Sequence, residues 1–145
     1  MALARSTRWS IVAVALGVAL LQGCVSRMPS VPPAVQIGGT PILPTPNVLP
    51  DRAPPRLTKI YFSTLDVRRG TRWSGAFVGG TNVASVEVRT NLFSIDVPRV
   101  GFGRFAFKLD VLDVAPIFIR PYALRVIAHN SAGDSFERDL PLDIR

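Results

Sequence analysis

In Tyr122-Ala123-Leu124-Arg125-Val126-Ile127-Ala128-His129-Asn130-Ser131-Ala132-Gly133-Asp134, the even positions to Ala128 carry apolar side chains, and a polar, glycine-containing cluster follows. Period-two alternation is the mark of a half-buried strand, because successive side chains leave opposite faces of the backbone. Tyr122, Leu124, Val126 and Ala128 are therefore expected to face a core. Asn130 and Gly133 suit the positive-φ geometry of a hairpin turn. A return strand over about Ser135 to Ile144 sets Phe136, Leu140, Leu142 and Ile144 on one face, and Pro141, which has no amide to donate, places part of it at a sheet edge.

The same period runs upstream. Arg104 to Leu112 shows the cleanest alternation, with Phe105, Phe107, Leu109 and Val111 on one face. Phe93, Ile95 and Val97 mark a shorter strand that Pro98 ends or leaves at an edge. Val83 to Thr90 alternates Ala84, Val86 and Val88 with Ser85, Glu87 and Arg89. Thr71 to Val78 places Trp73 and Phe77 on one face with Gly75 between them. Thr58 to Ser63 puts Ile60 and Phe62 inward and continues briefly to Val67. Gly79-Gly80-Thr81-Asn82 supplies one turn and Arg69-Gly70 another. No stretch carries a helical stripe, so the expectation is an all-β sandwich or barrel.

The 122–134 run resembles the F strand and F–G turn of fibronectin type III and related immunoglobulin-like domains. The resemblance covers about 89 residues and implies an immunoglobulin-like, fibronectin type III-like, antiparallel β-sandwich of about seven strands. It implies structural roles for Tyr122, as a tyrosine corner bonding upstream backbone, for Gly133 in the turn, and for Trp73 as the B-strand tryptophan. It also implies that the B–C turn (Gly79, Gly80, Thr81, Asn82) and the F–G turn (Asn130, Ser131, Asp134) share one end, as candidate binding loops. The segment Asp113 to Pro121 is longer than the usual E–F corner. No cysteine pair spans the sheets, which excludes an antibody-type domain.

Nine of the chain's 13 prolines fall between Val25 and Pro55. Proline lacks an amide donor and biases its predecessor to extended geometry, so residues 24–56 are expected to be a disordered tether without ladders. The stretch from Val25 to Pro55 could reach on the order of 90 Å at roughly 3.1 Å per residue. The organisation expected is a signal segment over 1–23, this tether, and a sandwich over 57–145.

At the N-terminus, Arg5 and Arg8 precede the uncharged stretch Ser10 to Leu21, which is followed by Gln22, Gly23 and Cys24. Basic, then apolar, then small is the layout of a secretory signal, and the stretch is short of the about 20 residues a membrane span needs. Leu21-Gln22-Gly23-Cys24 resembles a bacterial lipobox, although Gln22 is a less usual occupant of its position. The resemblance implies cleavage after Gly23 and attachment of diacylglycerol to Cys24, with membrane anchoring through more than one acyl chain. Val25 in place of aspartate implies the outer membrane in an organism with two. Cys24 is the only cysteine, so the domain is expected to have no disulfide and to depend on its core.

The formal net charge is +7, carried almost wholly by arginine. These arginines alternate singly with apolar residues rather than interleaving with exposed aromatics, which argues against nucleic acid as a partner. His129, the only histidine, lies on the outward phase of its strand. Ser131 and Asp134 have backbone reasons to occupy a turn, and a Ser-His-Asp site would also need an oriented nucleophile and an oxyanion site. Asp110 and Asp113, with Asp66 and Asp96, fall short of the six to eight clustered oxygens calcium requires. Arg68, Arg69 and Arg72 form the densest basic group, suited either to solvation or to anionic headgroups or polysaccharide. No phosphate loop opens onto a helix. No catalytic residues, metal or cofactor are implied. The expected function is that of a membrane-anchored envelope lipoprotein whose sandwich binds protein or glycan through its loops, without catalysis. The alternatives are an accessory lipoprotein of an envelope assembly pairing through an edge strand, a carbohydrate-binding domain, or a small hydrolase.

Overall fold

The computed structural model describes residues 31–112 and 115–145. Over these the chain is all-β, two five-stranded sheets packed face to face as a sandwich. The strands are β1 (Ala34–Ile37), β2 (Leu57–Phe62), β3 (Asp66–Val67), β4 (Arg72–Gly79), β5 (Val83–Arg89), β6 (Ser94–Val97), β7 (Arg99–Gly101), β8 (Arg104–Asp110), β9 (Pro121–Asn130) and β10 (Ser135–Ile144). One sheet has the order β1-β2-β4-β8-β7 and the other β3-β10-β9-β5-β6. A single 3₁₀ turn, Pro116–Phe118, interrupts the β8–β9 connection.

The period-two faces meet between the sheets. From the first sheet come Ile60, Phe62, Trp73, Phe77, Phe105 and Phe107, and from the second Val86, Val88, Leu124, Val126, Ala128, Leu140, Leu142 and Ile144. The aromatic rings form one cluster: Trp73 lies stacked on Phe62 at 5.6 Å and edge-on to Phe107 at 5.0 Å. Such pairs contribute about 0.5–1.5 kcal/mol each beyond their burial. The Trp73 indole N–H donates to the Thr64 carbonyl at 2.9 Å, so the ring is buried without leaving its polar atom unpaired.

Several expectations are corrected. The sheets are mixed rather than purely antiparallel, because β1 runs parallel to β2 and β3 parallel to β10. Over the described residues there are ten strands rather than about seven: the stretch Thr58 to Val67 is divided between β2 and β3, and β1 and β7 form where no strand is expected. After Phe62 the chain crosses at Ser63–Leu65, so that Asp66–Val67 joins β10 instead of extending β2. Pro98, ending β6, redirects the chain so that β7 pairs with β8. A register shift between Val83 and Ser85 turns Ala84 out to solvent and Val83 in, opposite to the simple alternation. Leu109, expected inward, is 44 % exposed because it lines an open apolar cleft with Trp73 and Leu142. Asn130 is not at positive φ; Gly133, at +92°, supplies that geometry alone in the turn.

The largest correction concerns the proline-rich segment. The expected tether does not extend through residue 56, because from Ala34 onward the chain belongs to the sandwich. Ala34–Ile37 contain no proline and add β1 to the edge of β2, in register from Ala34 beside Lys59 to Ile37 beside Phe62. Gly38 and Gly39, both near φ +70°, then reverse the chain, and the Tyr61 hydroxyl holds the reversal by donating to the Gly39 carbonyl at 2.9 Å. Beyond them the segment crosses the outer face of the first sheet. Arg104 donates to the Pro44 carbonyl at 3.4 Å, and a methyl group on Gly103 would meet Pro46 at 2.8 Å. The outward-phase residues Tyr61, Ala76 and Val78 are accordingly buried. Leu43, Pro46 and Leu49 are the half-buried positions of the strap between Pro41 and Pro50, and a spacing of three is the repeat of a polyproline helix. Such a chain has few amides to satisfy, so it can lie on a sheet face without a ladder.

Gly75 sits where the aromatic cluster is tightest: a Cβ there would stand 2.5 Å from Phe107 and 3.2 Å from Phe62. Gly75→Ala is expected to destabilise the fold by about 1–3 kcal/mol, the usual range for an overpacked core, read as a lower urea midpoint at unchanged slope.

Candidate functional site

The β4–β5 and β9–β10 turns, the expected B–C and F–G turns, lie at one end of the sandwich, as Val83 pairing with Asn130 requires. The β7–β8 turn joins them there, the Gly79 amide donating to the Gly103 carbonyl at 2.8 Å. The two loops are tied through a third segment. The side-chain amides of Asn82 and Asn130 both donate to the Ala53 carbonyl, at 2.6 and 3.0 Å. Both asparagines are buried. Asn130 does more: its Oδ1 accepts from the Ala132 and Asp134 amides at 3.0 and 2.8 Å, shaping the turn, while its Nδ2 also reaches the Asp134 carboxylate at 2.9 Å.

This arrangement divides the candidate loop residues. Gly79 and Gly80 are buried under the strap, where the Gly80 amide donates to the Arg56 carbonyl at 3.0 Å and a Cβ on Gly80 would meet Leu49 at 2.6 Å. Thr81 is half-buried; its amide donates to the Asn47 carbonyl at 2.9 Å and its hydroxyl accepts from the Leu49 amide at 3.1 Å. Ser131, Gly133 and Asp134 remain exposed at the tip. The surface offered at this end is therefore the F–G tip together with the β7–β8 turn, whose Phe102 is 81 % exposed. Gly101 and Gly103 on either side of Phe102 are the sequence signal for that protruding ring. The role of residues 44–56 had no such signal, because their contacts are mainly backbone carbonyls.

Tyr122 stands at the opposite end. Its hydroxyl donates to the Phe118 carbonyl at 2.9 Å and accepts from Arg120 Nε at 3.3 Å, which joins β9 to the 3₁₀ turn four residues upstream. A cleft of about 300 Å³ opens between the sheets at this end. Trp73, Leu92, Phe93, Leu109 and Leu112 line it, and its wall is apolar apart from Asp110. The basic group here is largely neutralised, Arg72 by Asp110 at 2.8 Å and Arg68 by Asp66 at 3.6 Å. The hydrogen bond with Arg72, and its charge, hold the Asp110 carboxyl below its ordinary pKa.

His129 is half-buried on the outer face of the second sheet, in register with Ser85. Nearby, the Ser94 hydroxyl donates to Glu87 and Arg89 pairs with it at 2.7 Å. These contacts, Ser94 first, place the Glu87 carboxyl below the usual carboxylate range. The Asp134 carboxylate is engaged by Asn130, not by His129, at hydrogen-bonding distance. Among the described residues, no cluster of three His, Cys, Asp or Glu side chains is placed to hold a metal ion. The residues Leu21, Gln22, Gly23 and Cys24, and Asp113, lie outside the described residues.

Asn82→Ala and Asn130→Ala are each expected to cost about 1–3 kcal/mol, since each removes a buried side chain together with its hydrogen bond to Ala53. Because both serve Ala53, the double variant should depart from additivity by about 0.5 kcal/mol or more in a denaturation cycle. No protein-family model matches this chain, and comparison with curated proteins found no match.

Proposed function

We propose that this protein is an exported, lipid-anchored envelope protein whose immunoglobulin-like sandwich is a non-catalytic contact module. The observation that carries the reading is the run Leu21-Gln22-Gly23-Cys24 closing an uncharged stretch behind Arg5 and Arg8. The strand order supports the immunoglobulin-like assignment. With β2, β4, β8 and β7 taken as A, B, E and D, and β10, β9 and β5 as G, F and C, the division is that of immunoglobulin sandwiches, and β6 extends the second sheet as a C′ strand does. Trp73 in β4 and the Tyr122–Phe118 hydrogen bond fit the same assignment. Fold alone does not define activity, so the functional reading rests on the anchor and on the surfaces the sandwich presents.

The contact surface we assign is the loop end. Three turns converge there, two held by the shared Ala53 carbonyl and the third by the Gly79 amide on Gly103, and they frame Ser131, Gly133, Asp134 and Phe102. The runner-up, pairing through an edge strand, is less favoured at β10. Its free stretch carries Glu137, Arg138, Asp139 and Pro141, the charges and proline by which proteins keep edges from pairing.

Cells expressing the chain and fed an alkyne analogue of palmitate are expected to yield a labelled protein in the membrane fraction. Cys24→Ala should remove the label and leave the uncleaved chain migrating more slowly. Label retained on the Cys24→Ala variant, or an unlabelled wild type secreted in free form, would overturn the reading.

A further inference from the structure

We infer that the loop end of the sandwich rests on the headgroups of an anionic phospholipid bilayer, with Phe102 entering the interface. This deepens the proposed anchor reading and depends on it. Three independent observations converge on this end.

The first is chain entry. β1 begins at Ala34 beside Lys59, near the Leu57–Gly79 pair that marks the loop end. Since residues 34–56 belong to the sandwich, the chain between Cys24 and the fold is only residues 25–33. Fully extended, that span reaches no more than about 35 Å, well below the roughly 90 Å expected of a tether through residue 56. A lipid on Cys24 therefore holds the point of chain entry, near the loop end, within about 35 Å of the membrane surface.

The second is charge. Arg52 and Arg56 flank the Ala53 carbonyl that holds the two turns, and Arg99 and Arg104 flank the β7–β8 turn. Among the described residues none of these four has a carboxylate within 4 Å; the ion pairs fall on Arg68, Arg72, Arg89, Arg125 and Arg145. The acids at the loop end are Asp51 and Asp134, and the Asp134 carboxylate is occupied by Asn130. The local balance is positive. Each arginine within the field of an anionic leaflet strengthens attachment about fivefold.

The third is the protruding apolar surface. Phe102 is 81 % exposed at the tip of a turn, with Val100 at 64 % in the same hairpin and Val48 at 87 % on the adjoining strap. An exposed aromatic ring suits the headgroup boundary; Arg99, which donates to the Val83 carbonyl, and Arg104, which donates to Pro44, add positive charge beside it, while Arg52 and Arg56 on the strap are placed to meet phosphates. The opposite end also exposes apolar residues, Leu112 and Ile117, but two of its basic residues, Arg68 and Arg72, are paired and the chain enters away from it. That end is the control.

The test uses the mature chain purified from cells, carrying Phe102→Trp or, separately, Ile117→Trp. Each is reconstituted in vesicles of phosphatidylglycerol and phosphatidylcholine that contain acyl-brominated lipid. Trp73 is buried and common to both. Fluorescence of the Phe102→Trp variant is expected to be quenched and that of the Ile117→Trp variant not, with the difference shrinking in high salt and in an Arg56→Ser, Arg104→Ser background. A fluorophore on Ser131→Cys gives a second readout of the same end should Phe102→Trp disturb the hairpin. Equal quenching at both ends, or stronger quenching at position 117, in an acylated chain overturns this inference alone. A mature chain without acyl groups in its mass spectrum overturns it together with the anchor reading.

Discussion

Burial of aromatic rings between two sheets is the constraint on which this structure depends. The chain has one cysteine, Cys24, so no disulfide within the chain can restrict the unfolded state on the domain's behalf. Stability must come from apolar area removed from water, at about 1.5–3 kcal/mol for each large side chain fully buried. Phe62, Trp73, Phe77 and Phe107 concentrate that term in one cluster, and the bare backbone at Gly75 lets the rings approach. A side chain at that position would have to displace Phe107 or the backbone itself.

Packing one face of a sheet leaves the other to be managed, and here the proline-rich segment does it. Tyr61, Ala76 and Val78 on the outer face of the first sheet would be apolar surface without the strap. The strap's prolines carry carbonyls but no amides, so the covering layer brings acceptors that isolated donors meet: Arg104 at Pro44, the Ala53 amide at Pro50, and Asn82 and Asn130 together at Ala53. A further paired strand would have required a partner for each of its own amides. An extended, proline-rich layer thus covers the sheet without creating a new edge beyond it.

Period two made most of the sandwich legible from residues alone. Tyr122, Leu124, Val126 and Ala128 face the core as their alternation requires, as do Ile60, Phe62, Trp73, Phe77, Phe105 and Phe107. What the pattern could not reveal were places where one residue changes the phase or the chain changes sheet. The bulge at Val83–Ser85 inverts Ala84, and nothing in the run Val83 to Thr90 distinguishes a bulged strand from a regular one. Composition misled at residues 34–56 because prolines exclude a ladder of amides without excluding a packed layer. The three-residue spacing of Leu43, Pro46 and Leu49 was present in the chain, but it is the period of a polyproline strand and not one of the two periods by which helices and strands are read. At the candidate site, Asn82 and Asn130 were visible as turn residues; that they serve a common carbonyl depends on Ala53, whose side chain carries no signal.

The strap also changes the physical character of the loop end. Had residues 24–56 been free, the B–C turn would be open, and the domain would sample positions far from any anchor. With the strap bound, Gly80 and Asn82 are committed to holding Leu49 and Ala53 in place, and what is left on the surface is a ring, a polar tip and arginines. Buried amides hold the frame while charge and one aromatic side chain remain outside it. Frame and surface can therefore be altered separately: Asn82 and Asn130 set the rigidity of the end, whereas Phe102 and Arg56 carry apolar surface and charge of the proposed contact. A contact surface built this way loses affinity from the second group without unfolding, and loses its shape from the first without losing its charge.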